Sequence, residues 1–272
     1  MSYEAHFNFL YEPFSNIPDP RFYYNSPEHH EAMIRLMHSA SMMRGLAVLT
    51  GDIGTGKTTL SRKLLSELRK DGKFIEGLLV LTHSDFSPEW FLQKIGWLLG
   101  MREMGTDKMK LVNQLSRRLM QLRKENKRPI LLIDEANKLK NEEHLEELRG
   151  LLNLELSDTR LITFILSGLP ALEDSLNTNR PLSQRIAMRV ELHTLSSESS
   201  RNYIIHRLSV AGGKETIFTD GAYNLIFKYS TGCPRLINSI CDNGLLEGYI
   251  LKKNIVDESL IEKVAENFKL KS

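Results

Sequence analysis

Gly51-Asp52-Ile53-Gly54-Thr55-Gly56-Lys57-Thr58 (GDIGTGKT) is the stretch that decides the fold of this chain. It fits the pattern G-x-x-x-x-G-K-[ST], and its flanks are those the pattern requires. Gly45–Thr50 (GLAVLT) before it reads as a short buried strand. After it Leu60, Leu64, Leu65 and Leu68 recur at helical spacing. Glycines let successive backbone N–H groups turn inward around an anion, and the helix N-terminus adds positive potential. Gly51, Asp52, Ile53, Gly54, Thr55 and Gly56 are therefore expected to cradle phosphates. Lys57 would reach the β- and γ-phosphates and Thr58 would offer its hydroxyl to Mg²⁺. Thr59 is counted with the loop as its last residue.

A second motif lies downstream. Ile130-Leu131-Leu132-Ile133-Asp134-Glu135 is an apolar strand that delivers two carboxylates at its C-terminal end. In a nucleotide hydrolase Asp134 would hold Mg²⁺, and Glu135 would orient and polarise the attacking water. Asn137-Lys138-Leu139-Lys140 lacks the final Asp of a guanine-reading sequence and sits just after the metal acid, in the wrong place for one. ATP is thus expected over GTP.

Working outward, Gly77–Thr82 and Leu161–Leu166 read as further strands beside Pro129–Ile133, with helices expected over Trp90–Leu99, Lys108–Arg123 and Glu142–Leu156. A helix from Glu28 carries Ala32, Leu36 and Ala40 at helical spacing, with Ser26 or Pro27 at its start. Strands alternating with helices predict an α/β fold, a parallel sheet covered on both faces. His193–Ser200 is polar and serine-rich and reads as a hinge, beyond which only helical periodicity is found. The expected organisation is an aromatic, proline-punctuated lead-in over 1–27 (Pro13, Pro18, Pro20, Pro27), an α/β domain over 28–192 and a small all-helical lid over 197–270.

Composition is consistent with this and excludes other classes. The 272 residues are 41% hydrophobic and 26% charged, enough apolar content for a core and too much for disorder. A net charge of +2 is too balanced for a chain that is one large nucleic-acid surface. Cys233 and Cys241 do not make a disulfide framework and are expected in the core of a protein from a reducing compartment. No apolar run approaches the roughly 18 residues of a membrane span, and the N-terminus lacks a secretory signal, so a cytoplasmic protein is expected. His29-His30 has no recognisable third ligand, so no metal is assigned to it.

Several segments carry a resemblance. They are Pro13-Phe14, Pro18-Asp19-Pro20-Arg21-Phe22, Ser26, His30-Glu31-Ala32, Leu49-Thr50-Gly51, Gly54–Leu60, Leu132–Ala136, Leu148–Leu154, Ser167-Gly168-Leu169-Pro170, Gln184-Arg185-Ile186, Tyr203-Ile204, His206-Arg207-Leu208, Ala211-Gly212 and Gly232-Cys233-Pro234-Arg235. Over nearly its whole length the sequence resembles the AAA+ ATPases of the general secretion pathway protein A type, the group of the ExeA- and MshM-like proteins. It shares its core with transposition ATPases of the TnsC type. The resemblance implies a P-loop NTPase sheet with a helical lid. It makes Ser167 a first sensor, Arg185 a finger supplied to the neighbouring subunit, with Arg180 and Arg189 as competitors, and Arg235 a second sensor. Tyr23, Tyr24 and His30 would wall the adenine pocket. His83 stands where the family has Asn. Secretion-pathway members continue into a membrane segment and a periplasmic peptidoglycan-binding domain. This sequence ends at Ser272, and so represents either a short relative or part of a longer protein.

Charge is unevenly spread. Arg102–Arg128 holds nine basic residues against three acidic, and Asp134–Asp158 eight acidic against three basic. Such faces would steer copies into a ring or filament, track DNA phosphates, or simply be solvated. Two functional readings stay open. One is an oligomerising ATPase assembling a cell-envelope secretion, pilus or export machine, peripheral to the inner membrane and engaging a partner there. The other is an ATP-dependent, DNA-binding selector of transposition targets.

Overall fold

The computed structural model describes residues 2–17, 19–156 and 159–270. Pro18 and Asp158, used in the sequence reading, lie outside the described residues. The chain runs α1 (Tyr3–Phe7), α2 (Pro27–Ser41), β1 (Leu46–Thr50), α3 (Lys57–Lys70), β2 (Phe74–Val80), α4 (Pro88–Leu98) and α5 (Lys108–Lys124). There follow β3 (Arg128–Asp134), α6 (Glu142–Leu152), β4 (Glu155–Leu156), β5 (Thr159–Arg160), β6 (Thr163–Gly168), α7 (Ala171–Thr178), α8 (Arg180–Ser183) and β7 (Ile186–Glu191). It closes with α9 (Ser197–Val210), α10 (Asp220–Ser230), α11 (Pro234–Ile250) and α12 (Glu258–Asn267). Two compact units result. One comprises Glu31–Ile53 and Lys57–Leu192; the other comprises the residues up to His30, Gly54–Gly56, and those from His193 onward.

In the α/β unit the strands lie in the order β2-β3-β6-β1-β7, all parallel. A parallel sheet is buried on both faces, so its strands read as unbroken apolar runs; every residue of β1 and β6 is buried. Side chains alternate between two cores, as a period of two requires. Leu46, Val48, Leu131, Ile133, Phe164 and Leu166 join a cluster with residues of α4–α8. Ala47, Leu49, Ile130, Leu132 and Ile165 join another with Leu36 of α2 and Leu60 and Leu64 of α3.

The structure moves some expected boundaries. β2 starts at Phe74 rather than Gly77, because Phe74 and Ile75 already pair with Arg128 and Pro129. β6 starts at Thr163 rather than Leu161 and runs on to Gly168. The fifth strand of the sheet, β7, was not expected; α6 ends at Leu152 rather than Leu156, and β4, inside the expected helix, pairs antiparallel with β5.

In the helical unit polar caps set the helix starts. Ser196, Thr219 and Asp257 accept from Ser199 N, Ala222 N and Leu260 N at the heads of α9, α10 and α12. Thr231 and Gly232, both at positive φ, end α10, and Pro234 opens α11. Described residues of the N-terminal stretch contribute to this core. Phe7, Phe9, Phe14 and Phe22 pack with Ile204, Leu208, Ile237 and Ile240. Buried Arg207 fastens them, donating to Pro13 O (2.5 Å), Ser15 O (3.0 Å) and Tyr203 Oη (2.8 Å). Cys241 is fully buried as expected, whereas Cys233 is only half-buried. Among the described residues no helix is long and apolar enough to cross a membrane.

Candidate nucleotide site

Strand order places the chemistry. β3, β6 and β1 are adjacent, and their C-terminal ends carry Asp134, Ser167 and the start of the phosphate loop. Ser167 lies opposite Leu49 in register, on the strand between the acid pair and the loop. Ligand sites of parallel α/β sheets form at this edge.

Asp134 is 3% exposed and Ser167 is fully buried. Both carboxylate oxygens of Asp134 are engaged. Oδ2 accepts from Thr58 Oγ1 at 2.8 Å. Oδ1 accepts from Ser167 Oγ at 2.9 Å and from the Glu135 N–H at 3.0 Å. Lys57 opens α3 and donates to Gly51 O and Asp52 O, both at 2.8 Å, so its ammonium turns back over the loop. Thr59 is half-buried in the first turn of α3. Glu135 is exposed at φ 56°, ψ 34°. A non-glycine residue in this left-handed region is strained by about 1–3 kcal/mol and marks a place where geometry outweighs comfort.

Asn137 and Lys138 brace this corner. Asn137 Oδ1 accepts from Leu169 N (3.3 Å), and Lys138 Nζ donates to Leu81 O (3.0 Å) and Thr82 O (2.9 Å). The sequence reading weighed these residues only as a guanine motif, and their structural role was missed. His83 bonds Thr82 Oγ1 at 2.9 Å and sits edge-on to Phe86.

The three arginines after β6 differ. Arg180 is exposed at the head of α8, capped by Asn179. Arg185 is half-buried just past α8, its N–H on Leu182 O at 2.9 Å. Arg189 is ion-paired with Glu173 and donates to Ser183 Oγ at 3.0 Å. Of the nine basic residues in Arg102–Arg128, four are held internally. Lys108 pairs with Glu147 (2.5 Å); Arg118, Lys127 and Arg128 donate to Leu99 O, Gly72 O and Ser41 O. Lys108–Glu147 joins the basic segment to the acidic one, and the other three are held by backbone carbonyls elsewhere in the unit.

In the helical unit the loop segment Gly54–Gly56 meets α2 and α11. Arg235 is exposed, and its N–H donates to Gly54 O at 3.3 Å. A Cβ on Gly54 would lie 2.8 Å from Cys233 Sγ and from Arg235 Cβ, so this position is closed to larger residues. Of the residues expected at the adenine, Tyr24 packs on Tyr203 and His206, Tyr23 Oη bonds Asn25 Oδ1 at 3.4 Å, and His30 is exposed beside Asn25. Of the His29-His30 pair the buried member is His29, which the sequence reading weighed only as half of a metal pair. Among the described residues no group of three or more His, Cys, Asp or Glu is placed to hold a metal ion.

Comparison with known proteins agrees with this geometry. A family model described as AAA domain matches residues 40–176. General secretion pathway protein A of Aeromonas hydrophila is 35% identical over 254 residues, which is 91% of this chain and 45% of that protein. The chain therefore spans less than half the length of this curated relative. Drosophila ORC bound to DNA matches with a TM-score of 0.71 at 16% identity, over 96% of this chain and 65% of that one. The RuvB Holliday junction branch migration motor of Thermotoga maritima gives 0.60 at 20% identity, over 90% and 72%. At such identities the two structures speak for the fold alone. With its P-loop, acid pair and matched family model, the chain belongs to the AAA domain family and within it is similar to general secretion pathway protein A.

Proposed function

We propose that this chain binds and hydrolyses ATP and works as an oligomerising switch or motor in the assembly of a cell-envelope secretion, pilus or export system. The observation that carries the hydrolysis is the Asp134 carboxylate bridged to Thr58 and Ser167 beside the phosphate loop. The hydroxyl and carboxylate of Thr58 and Asp134 form an oxygen-only donor pair, which suits a hard cation such as Mg²⁺. When bound, the ion would neutralise phosphate charge. The rest falls to the chain's own groups. Lys57 draws the β- and γ-phosphates to the loop. Glu135, exposed next to Asp134, takes the proton of the attacking water. Ser167 holds Asp134 in place.

The assembly reading rests on the relative's name and on Arg185. Arg185 is assigned as the finger that neutralises γ-phosphate charge in a neighbouring subunit, because Arg189 is committed to Glu173. Arg235 reports from the helical unit as the second sensor. The location assigned is the cytoplasm, at the inner membrane, with a membrane protein as partner.

Mixing variants tests the assembly. Arg185→Ala and Lys57→Ala should each be inactive alone, and mixed oligomers should regain part of the activity through interfaces that join an intact loop to an intact finger. Mixed oligomers without restored activity would move the finger to Arg180 or remove it.

A second reading, ATP-dependent DNA binding, is favoured by one observation: Arg102, Lys110, Arg117 and Lys124 are exposed around α5. It calls for duplex binding that needs ATP and falls steeply with salt. Capture of an inner-membrane protein without duplex binding supports the first reading.

A further inference from the structure

Ser26 starts α2. Its Oγ accepts from the His29 N–H at 3.2 Å and lies 2.8 Å from His29 Nδ1. Ser26 is fully buried and His29 is 6% exposed. The other ring nitrogen faces the phosphate loop. A Cβ built on Gly56 would lie 2.7 Å from His29 Nε2, so the imidazole edge rests directly on the Gly56 backbone. Gly56 has φ +102°, a conformation that also requires glycine. The Thr55 backbone hydrogen-bonds the ring in the sense that favours the protonated form, so its carbonyl accepts and the ring N–H donates. With Nδ1 engaged by the Ser26 hydroxyl, the donor is Nε2. Burial opposes a charged ring and pushes the His29 pKa down, which leaves one proton to place. The bond that bears on the loop is Nε2–H to Thr55 O; Ser26 Oγ contacts Nδ1 and also reaches the Glu28 carboxylate.

This has a consequence for the loop. In a trans peptide the C=O and the following N–H point in opposite directions. A bond that holds the Thr55 carbonyl toward α2 turns the Gly56 N–H to the opposite side. In a phosphate loop that is the concave side, where successive N–H groups meet the anion. We propose that His29 is a positioning residue of the phosphate loop, setting the Thr55–Gly56 peptide so that the Gly56 N–H is presented to nucleotide phosphate. The role rests on the phosphate-loop reading above and deepens it. His29 itself touches no nucleotide.

The test separates the donor from the packing. His29→Gln keeps an N–H near the Nε2 position. His29→Met fills the space without a donor. His29→Asn keeps a group near Nδ1 for Ser26 but does not reach Thr55. ATP, ADP and adenosine affinities are measured by calorimetry with Lys57→Ala as the control, and turnover is measured at saturating ATP. His29→Met and His29→Asn should weaken ATP and ADP binding about tenfold, the size of one well-placed hydrogen bond. Adenosine affinity and turnover at saturation should stay within twofold. His29→Gln should restore ATP affinity to within about threefold of wild type. If His29→Met binds ATP as wild type does, or if His29→Gln loses as much as His29→Met, the positioning role is wrong. Equal loss of adenosine and ATP affinity would also overturn it, since a merely structural residue behaves that way. If Lys57→Ala weakens ATP binding while the His29 variants do not, the phosphate-loop reading stands and only the His29 role fails. A wild-type chain that binds no ATP overturns both.

Discussion

Ser167 Oγ donates to Asp134 Oδ1 across 2.9 Å, from the neighbouring strand of the sheet. With Thr58 on the other carboxylate oxygen, this bond makes the acid at the end of β3 a fixed object rather than a free side chain. Removing a hydroxyl from a buried pair costs about 1–3 kcal/mol, because a desolvated oxygen is left short of a partner. Ser167→Ala should therefore lower the melting temperature by several degrees and cut turnover at least tenfold, while ATP affinity changes only a few-fold. Unaltered turnover would remove Ser167 from the site.

Glu135 gives a second, opposite signature. Its backbone is left-handed, where glycine is at ease and glutamate is not. Glu135→Gly should raise stability by about 1 kcal/mol, as relief of such strain does, and at the same time abolish hydrolysis. Denaturant titration and phosphate release on the same sample check both halves. A destabilised variant would show that the strain is relieved some other way.

Much of this was legible in the sequence, for physical reasons. The strands that carry the site are buried on both faces, so β1, β3 and β6 announce themselves as apolar runs. β7 does not: it is an edge strand whose Ala187, Arg189 and Glu191 are exposed, and its apolar content is too thin to read. The phosphate loop is local and was visible. His29 was not, because its burial depends on where α2 lies against a loop distant in sequence, and neighbouring His30 looked just as eligible. The basic stretch over Arg102–Arg128 was plain, but Arg128 reaching Ser41 O and Lys127 reaching Gly72 O are long-range facts that no charge count contains.

Arg207 supplies a prediction about the N-terminal residues. Its guanidinium holds Pro13 O and Ser15 O from α9 and lies over the Phe22 ring. Arg207→Met would leave two carbonyls and the Tyr203 hydroxyl without this donor. Loss of charged hydrogen bonds of about 1.5–3 kcal/mol each should destabilise the helical unit and open the Pro13–Asn16 stretch to proteases. Protease resistance equal to wild type would show that the aromatic packing suffices.

Acid should weaken the helical unit through its histidines. Burial pushes His29 below the ordinary 6.5, against the opposing pull of Glu28 and the Thr55 backbone. His206 is pushed down by burial and by Arg207, opposed by the Tyr23 backbone. A lowered folded pKa means that the unfolded chain binds more protons, so stability falls as pH drops below 6.5 and is unaffected well above it. Glu12 and Asp242, whose carboxyls are pushed up chiefly by burial, act in the opposite sense at lower pH. The melting temperature should thus fall between pH 7.5 and about 5.5, and His29→Gln with His206→Gln should flatten that fall. An unchanged slope in the double variant would contradict it.

The Lys57 loop and the Asp134–Glu135 pair are proposed to bind and hydrolyse ATP. The direct measurement is phosphate release from Mg-ATP beside ATP binding, on wild type, Lys57→Ala and Glu135→Gln, over a range of protein concentrations. Wild type should turn over, with specific activity rising as the protein associates. Lys57→Ala should bind ATP weakly or not at all. Glu135→Gln should hold ATP as tightly as wild type yet release phosphate at least about a hundredfold more slowly, since an amide takes no proton from water. A Glu135→Gln variant that hydrolyses ATP at the wild-type rate, or a Lys57→Ala variant that binds it undiminished, would contradict the account.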